Sequence, residues 1–137
     1  MITAIDHLVL HVRDIQATLD FYCRGLGMEK RTFGNGRIAI HFGNQKFNLH
    51  EADRAPILPR ARNPVSGSAD FCLVSDQPID EVVGLLETRG IAIERGPVEQ
   101  TGACGPMRSV YMRDPDGNLV EICTYLTRKT SWERKPA

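Results

Sequence analysis

A β-α-β-β-β order of elements occurs twice in this chain of 137 residues, and that repetition constrains the fold more than any other feature. In the first copy, residues 5–12 (IDHLVLHV) form the opening strand. Residues 16–24 carry apolar side chains at helical spacing, with Asp14 as N-cap and Gly25 and Gly27 as the stop. Residues 28–33, 37–42 and 45–51 read as three strands separated by Gly34-Asn35-Gly36 and Gly43-Asn44. In the second copy, residues 68–75 form the opening strand. A helix over 79–89 follows, with Asp76 as its cap, Pro78 helping to start it and Gly90 ending it. Residues 91–94 read as a strand and 96–106 as a Gly-rich loop; a hairpin over 109–125 closes the copy. His7 lies 63 residues before Asp70, and Gly27 lies 63 residues before Gly90, so one superposition aligns both pairs. The expected fold class is α+β. Two βαβββ modules, at 1–52 and 68–126, form a curled mixed-sheet cup with helices on the outside.

The closing hairpin, SVYMRDPDGNLVEICTY, carries its own turn chemistry in Asp114-Pro115-Asp116-Gly117-Asn118. Side chains alternate along a strand, so Val120, Ile122 and Thr124 face one way and Leu119, Glu121, Cys123 and Tyr125 the other. Glu121 is thus a carboxylate among apolar neighbours. Residues 53–67 hold three prolines, three arginines and few strand formers, and read as a linker that either covers a site or joins the modules. Residues 102–108 (GACGPMR) read either as a loop over the mouth of the cup or as a turn between strands. The tail, 127–137, is polar and basic with a single Trp132, and reads as a frayed end or a dimer strap.

Lys plus Arg and Asp plus Glu both number 17, so the formal net charge is zero and nothing draws the chain generally to nucleic acid or to an anionic membrane. No long apolar segment and no charged-then-apolar leader is present, and a cytoplasmic location is the expectation. The four cysteines, Cys23, Cys72, Cys104 and Cys123, have no CxxC spacing, which argues against a structural zinc site or a redox pair.

Repeat symmetry places polar side chains where the first and last strands of the modules face the interior. His7 has Asp70 as its mate, and Glu121 has Asn48, with His50 on the same strand face. Taken singly, each has a plainer reading: a core or edge histidine, a carboxylate at a strand end, an amide bonded to backbone. Taken together, imidazole and carboxylate groups converging in an apolar cup are a ligand set for a divalent first-row metal, with Asn48 the alternative to His50. His11, Arg108 and Tyr111 are candidate substrate contacts, and His41 is read as structural or pocket-lining.

The opening IDHLVLHVRDIQATLDFYCRGLGM and the closing YMRDPDGNLVEI resemble the vicinal oxygen chelate superfamily of glyoxalase, bleomycin-resistance and extradiol-dioxygenase proteins. GNQKFNLHE, PVSGSADFCLV and GPVEQTGACGPMRSVYMRDPDGN are similar to the glyoxalase-domain-containing protein 5 group and its bacterial virulence-associated relatives. The resemblance implies paired βαβββ modules around a divalent ion (Zn, Ni, Mn or Fe), with His7 and Glu121 at the outer ligand positions. Asn48 stands where that family commonly has a carboxylate, and Asp70 where it commonly has a histidine. The implied activity is that of a metal-dependent glyoxalase-like lyase or isomerase. Its substrate is a small α-oxo carbonyl compound or its thiol adduct, with a thiol co-substrate and Glu121 as ligand and base. The alternatives are an extradiol ring-cleaving dioxygenase, which needs two histidines and a carboxylate, and a metal-free small-molecule binding or resistance protein. A fosfomycin-type thiol transferase would require a cationic pocket, for which Arg37, Arg108 and Arg113 are available. A homodimer is expected, because module edges are otherwise exposed.

Overall fold

The computed structural model describes residues 1–127. The expected two-module α+β architecture is present. The first module runs β1 (His7–Val12), α1 (Ile15–Leu19), a π-helical segment (Asp20–Gly25), β2 (Glu29–Phe33), β3 (Arg37–Phe42) and β4 (Gln45–Glu51). The second runs β5 (Asp70–Val74), α2 (Ile79–Thr88), β6 (Arg95–Gly102), β7 (Gly105–Arg113) and β8 (Leu119–Tyr125). Each module forms one four-stranded mixed sheet, and the strand orders β1-β4-β3-β2 and β5-β8-β7-β6 are the same permutation. In both, the first strand pairs parallel with the last and the other pairings are antiparallel. Gly27 (φ 77°) and Gly90 (φ 73°), matched by the repeat, both follow a helix in the left-handed region, where a Cβ would be strained.

Local chemistry explains the element ends. Asp14 is extended and its carboxylate accepts from the Gln16 and Ala17 amides at 3.0 and 3.1 Å, worth about 1 kcal/mol to the helix start. The helix foreseen over 16–24 begins as α-helix but changes to π-helical winding at Asp20. In α2 the N-cap is Pro78, with no side-chain cap, so Asp76 does not take the role expected of it. Asp80 and Glu81 in the first turn complement the helix dipole instead. No strand forms over 91–94; the edge strand β6 occupies 95–102, where a loop was expected. It carries a register shift between Arg95 and Val98, and Pro97 within that shift has no N–H to offer, as an edge position tolerates. Residues 102–108 close the β6–β7 hairpin, with Gly102 opposite Gly105.

The chain forms two compact units. One holds residues 1–69 together with Asp114–Asn118, the turn between β7 and β8; the other holds Asp70–Arg113 and Leu119 onward. The core of the first is Leu10, Val12, Leu19, Tyr22, Ile40, Phe47 and Leu49, all buried. Tyr22 meets Phe47 edge-to-face at 5.9 Å, so the helical stretch covers the β1/β4 face that carries Leu10 and Phe47. Each such side chain contributes roughly 1.5–3 kcal/mol on burial. The Asp114–Asn118 turn is anchored in this unit by Tyr22 and by Arg13, whose amide donates to Asp116 Oδ1 at 3.0 Å. In the second unit α2 buries Ile79, Val82 and Leu86 and packs against β7. The tail from residue 128, with Trp132, lies outside the described residues.

Candidate functional site

In the first unit, the parallel register of β1 with β4 sets His7 beside Lys46, Val9 beside Asn48 and His11 beside His50. The antiparallel register of β3 adds Ala39 beside Asn48 and His41 beside Lys46. All four histidines of the chain therefore share the sheet face opposite the core. The structure brings His11 and His50 together, with ring centroids 5.4 Å apart in a T-shaped contact. His50 and Asn48 are buried, and His50 Nε2 and Asn48 Oδ1 have no hydrogen-bond partner. His7 is more open, and its Nδ1 is bonded to Asp6 at 2.8 Å. Burial pushes the His50 imidazole below its ordinary range, reinforced by His11 and Arg37. His11 is lowered by burial and then by Arg60.

In the second unit, Glu121 on β8 lies opposite Cys72 on β5 and Tyr111 on β7. Glu121 Oε2 is buried without a partner, as is Ser109 Oγ on the same face. Burial raises the Tyr111 phenol, with the Glu121 charge and hydrogen bond acting in the same direction. The Cys72 thiol is raised by its hydrogen bond to Cys123, by burial and by Glu121. Asp70, opposite Leu119, is exposed. Arg108 alternates to the other face of β7, where its guanidinium lies 4.0 Å from Asp80. Ser109 was missed from sequence. Its place opposite Cys123, two residues before Tyr111, is the alternation signal that finds it.

The buried atoms left unpaired belong in large part to side chains that repeat symmetry singled out: Asn48, His50 and Glu121. An unpaired buried polar atom costs about 1–3 kcal/mol, so these are positions at which a ligand atom would be stabilised. An amide oxygen, an imidazole nitrogen and a carboxylate are donor types that divalent first-row ions accept. Among the described residues, no three His, Cys, Asp or Glu side chains converge into a ready-made metal cluster.

The model of the Glyoxalase/Bleomycin resistance protein/Dioxygenase superfamily matches residues 4–122. The chain belongs to that superfamily. It is 48% identical over 126 residues to virulence protein STM3117 of Salmonella typhimurium, covering 92% of this chain and 87% of the relative. The solved structure of that protein superposes with a TM-score of 0.89 over 92% of this chain and 99% of the other. Glyoxalase domain-containing protein RDO1 of Mycosarcoma maydis is 44% identical, over 93% of this chain and 72% of the relative. A lactoylglutathione lyase structure from Agrobacterium tumefaciens is 29% identical with a TM-score of 0.68, over 89% of this chain and 93% of that one.

Proposed function

We propose that this superfamily member is a glyoxalase-like lyase or isomerase acting on a small α-oxo carbonyl compound or its thiol adduct. The observation that carries the reading is Glu121: a carboxylate with one oxygen buried and unpartnered, on a strand face shared with Tyr111 and Ser109. A free carboxylate oxygen in such a place takes up a proton from carbon next to a carbonyl and returns it to the neighbouring carbon. The Tyr111 phenol, held protonated by burial and by Glu121, is a donor beside that carboxylate. The likeness to a lactoylglutathione lyase supports the substrate class.

A divalent ion is part of the proposal. Within the first unit His50 and Asn48 offer unpaired donors, with His7 the further candidate from the repeat; within the second, taken by itself, Glu121 does, with Asp70 the further candidate. Such an ion supplies Lewis-acid polarisation of adjacent oxygens. The four cysteines are free, which suits the reducing cytoplasm. Each sheet taken by itself ends in two edge strands, which favours a homodimer. The absence of a three-residue cluster among the described residues favours a second reading, a protein that only binds its small molecule.

The test is elemental analysis together with turnover of the methylglyoxal–glutathione adduct under Zn, Ni, Mn or Fe, with Glu121→Gln in parallel. Expected are near-stoichiometric metal and a kcat about 10²–10⁴-fold lower in the variant. Turnover unchanged in Glu121→Gln, or no turnover and no metal uptake with any ion, would overturn the lyase reading in favour of the binder.

A further inference from the structure

A cleft of about 430 Å³ opens within the first unit, between the β3–β4 sheet and the stretch 52–64. That volume suits a small organic molecule. Ile15, Pro56 and Ile57 contribute apolar wall, while Arg37, Arg54 and Arg60 face the same space with Glu51 as the single acid. Arg54 is taken up by Glu51, 3.4 Å away. Arg37 lies over the Phe33 ring at 4.8 Å and has no carboxylate partner among the described residues. Arg60 has no ion-pair or hydrogen-bond partner among them either. His50, 8% exposed, lines the cleft with its Nε2 unpaired.

Two guanidinium groups without anions, in a cleft with apolar walls and an unpaired buried imidazole nitrogen, form an incomplete electrostatic set. The missing member is an anion. A guanidinium presents paired N–H donors that match both oxygens of a carboxylate, and such charge-assisted bonds are about twice as strong as neutral ones. We propose that this cleft binds a small organic carboxylate, its charged end between Arg37 and Arg60, its compact apolar body against Pro56 and Ile57, and His50 Nε2 meeting a polar atom of the ligand. The stretch 53–67 is then a wall of a binding site, since it brings Arg60 and Ile57 to the cleft. The inference does not rest on the lyase reading, because Glu121 takes no part in it.

Isothermal titration of the full-length, metal-stripped protein with phenylacetate tests this, with uncharged phenylacetamide as the isosteric control. Phenylacetate should bind at least about tenfold more tightly than the amide and weaken as salt is raised. Arg60→Gln should lower its affinity about tenfold, Arg60→Lys should restore part of it, and Arg37→Gln should act in the same direction. Glu121→Gln should bind as the wild type does, which separates this proposal from the catalytic one. Equal affinity for acid and amide, undiminished binding in an Arg37→Gln/Arg60→Gln variant with unchanged circular dichroism, or no binding at millimolar phenylacetate would overturn it.

Discussion

Replacing Tyr22 by phenylalanine removes one oxygen atom from the centre of the first unit. The Tyr22 hydroxyl donates to Asp114 Oδ2 at 2.7 Å, and the tyrosine is fully buried. That carboxylate also accepts from the Asp116 and Asn118 amides on Oδ1 and from Asn118 Nδ2 on Oδ2, so it keeps three donors in the variant. The loss is therefore one hydrogen bond to a charged group, about 1.5–3 kcal/mol, with no orphaned charge added. In urea, with a slope of roughly 1–3 kcal/mol per molar, the midpoint should fall by about 1 M with little change in slope. The pH dependence supplies a second check. Burial first, and then the Asp114 charge and hydrogen bond, hold the Tyr22 phenol far above its ordinary range. The unfolded chain loses this proton near pH 10 while the folded chain keeps it, so the native state binds more protons and wild-type stability falls as pH rises through about 10. Phenylalanine has no such proton. The wild-type advantage over Tyr22→Phe should hold at pH 7–9 and shrink by up to about 1.4 kcal/mol per pH unit above pH ~10. A midpoint shift equivalent to less than about 0.5 kcal/mol, or a difference constant from pH 8 to 11.5, would refute the account.

Gly67→Ala should destabilise by at least about 2 kcal/mol, since φ is +84° and the added Cβ would meet the Asp116 carbonyl oxygen at 2.5 Å; Gly43→Ala, at φ +51° with open space around it, should cost only about 1 kcal/mol, and paired urea titrations compare them. His11, His41 and His50 all have lowered imidazole pKa values, mainly through burial. The folded state therefore binds fewer protons than the unfolded one below about pH 6.5, stability should drop as pH falls through that value, and His50→Gln should flatten the profile between pH 7.5 and 5.5.

Much of the strand layout was legible because strands with one buried face alternate visibly. HLVLHV sends Leu8, Leu10 and Val12 one way and the histidines the other, and β3 and β4 have the ends their turn residues foretold. The repeat predicted which positions of the two modules correspond, which composition could not. Pairing His7 with Asp70 implies pairing Asn48 with Glu121, and the registers of β1–β4 and β5–β8 agree. What escaped has physical reasons. RGPVEQTG reads as loop because Gly96, Pro97 and Gly102 are poor strand formers, yet an edge strand bonded along one side tolerates them. The passage from α to π winding at Asp20 leaves no mark on a search for a 3.6-residue period. Arg108 looked like a pocket residue from its neighbourhood, but alternation from Tyr111 sends it to the α2 side. The cleft around Arg60 depends on where a proline-rich stretch comes to rest, and no periodic signal encodes that.

The turn Asp114–Asn118 belongs with residues 1–69 although most of the second module precedes it in the chain. On a ribosome, the amino-terminal module therefore emerges long before the acceptor for Tyr22 exists, and it stays incomplete until residue 118 has left the exit tunnel. Dividing the gene after residue 69 would yield a leading fragment that lacks the acceptor for a buried tyrosine and a trailing fragment carrying a turn that belongs elsewhere. The two modules look like a duplication, yet this interleaving leaves the leading copy leaning on a turn, Asp114–Asn118, that only the trailing copy encodes.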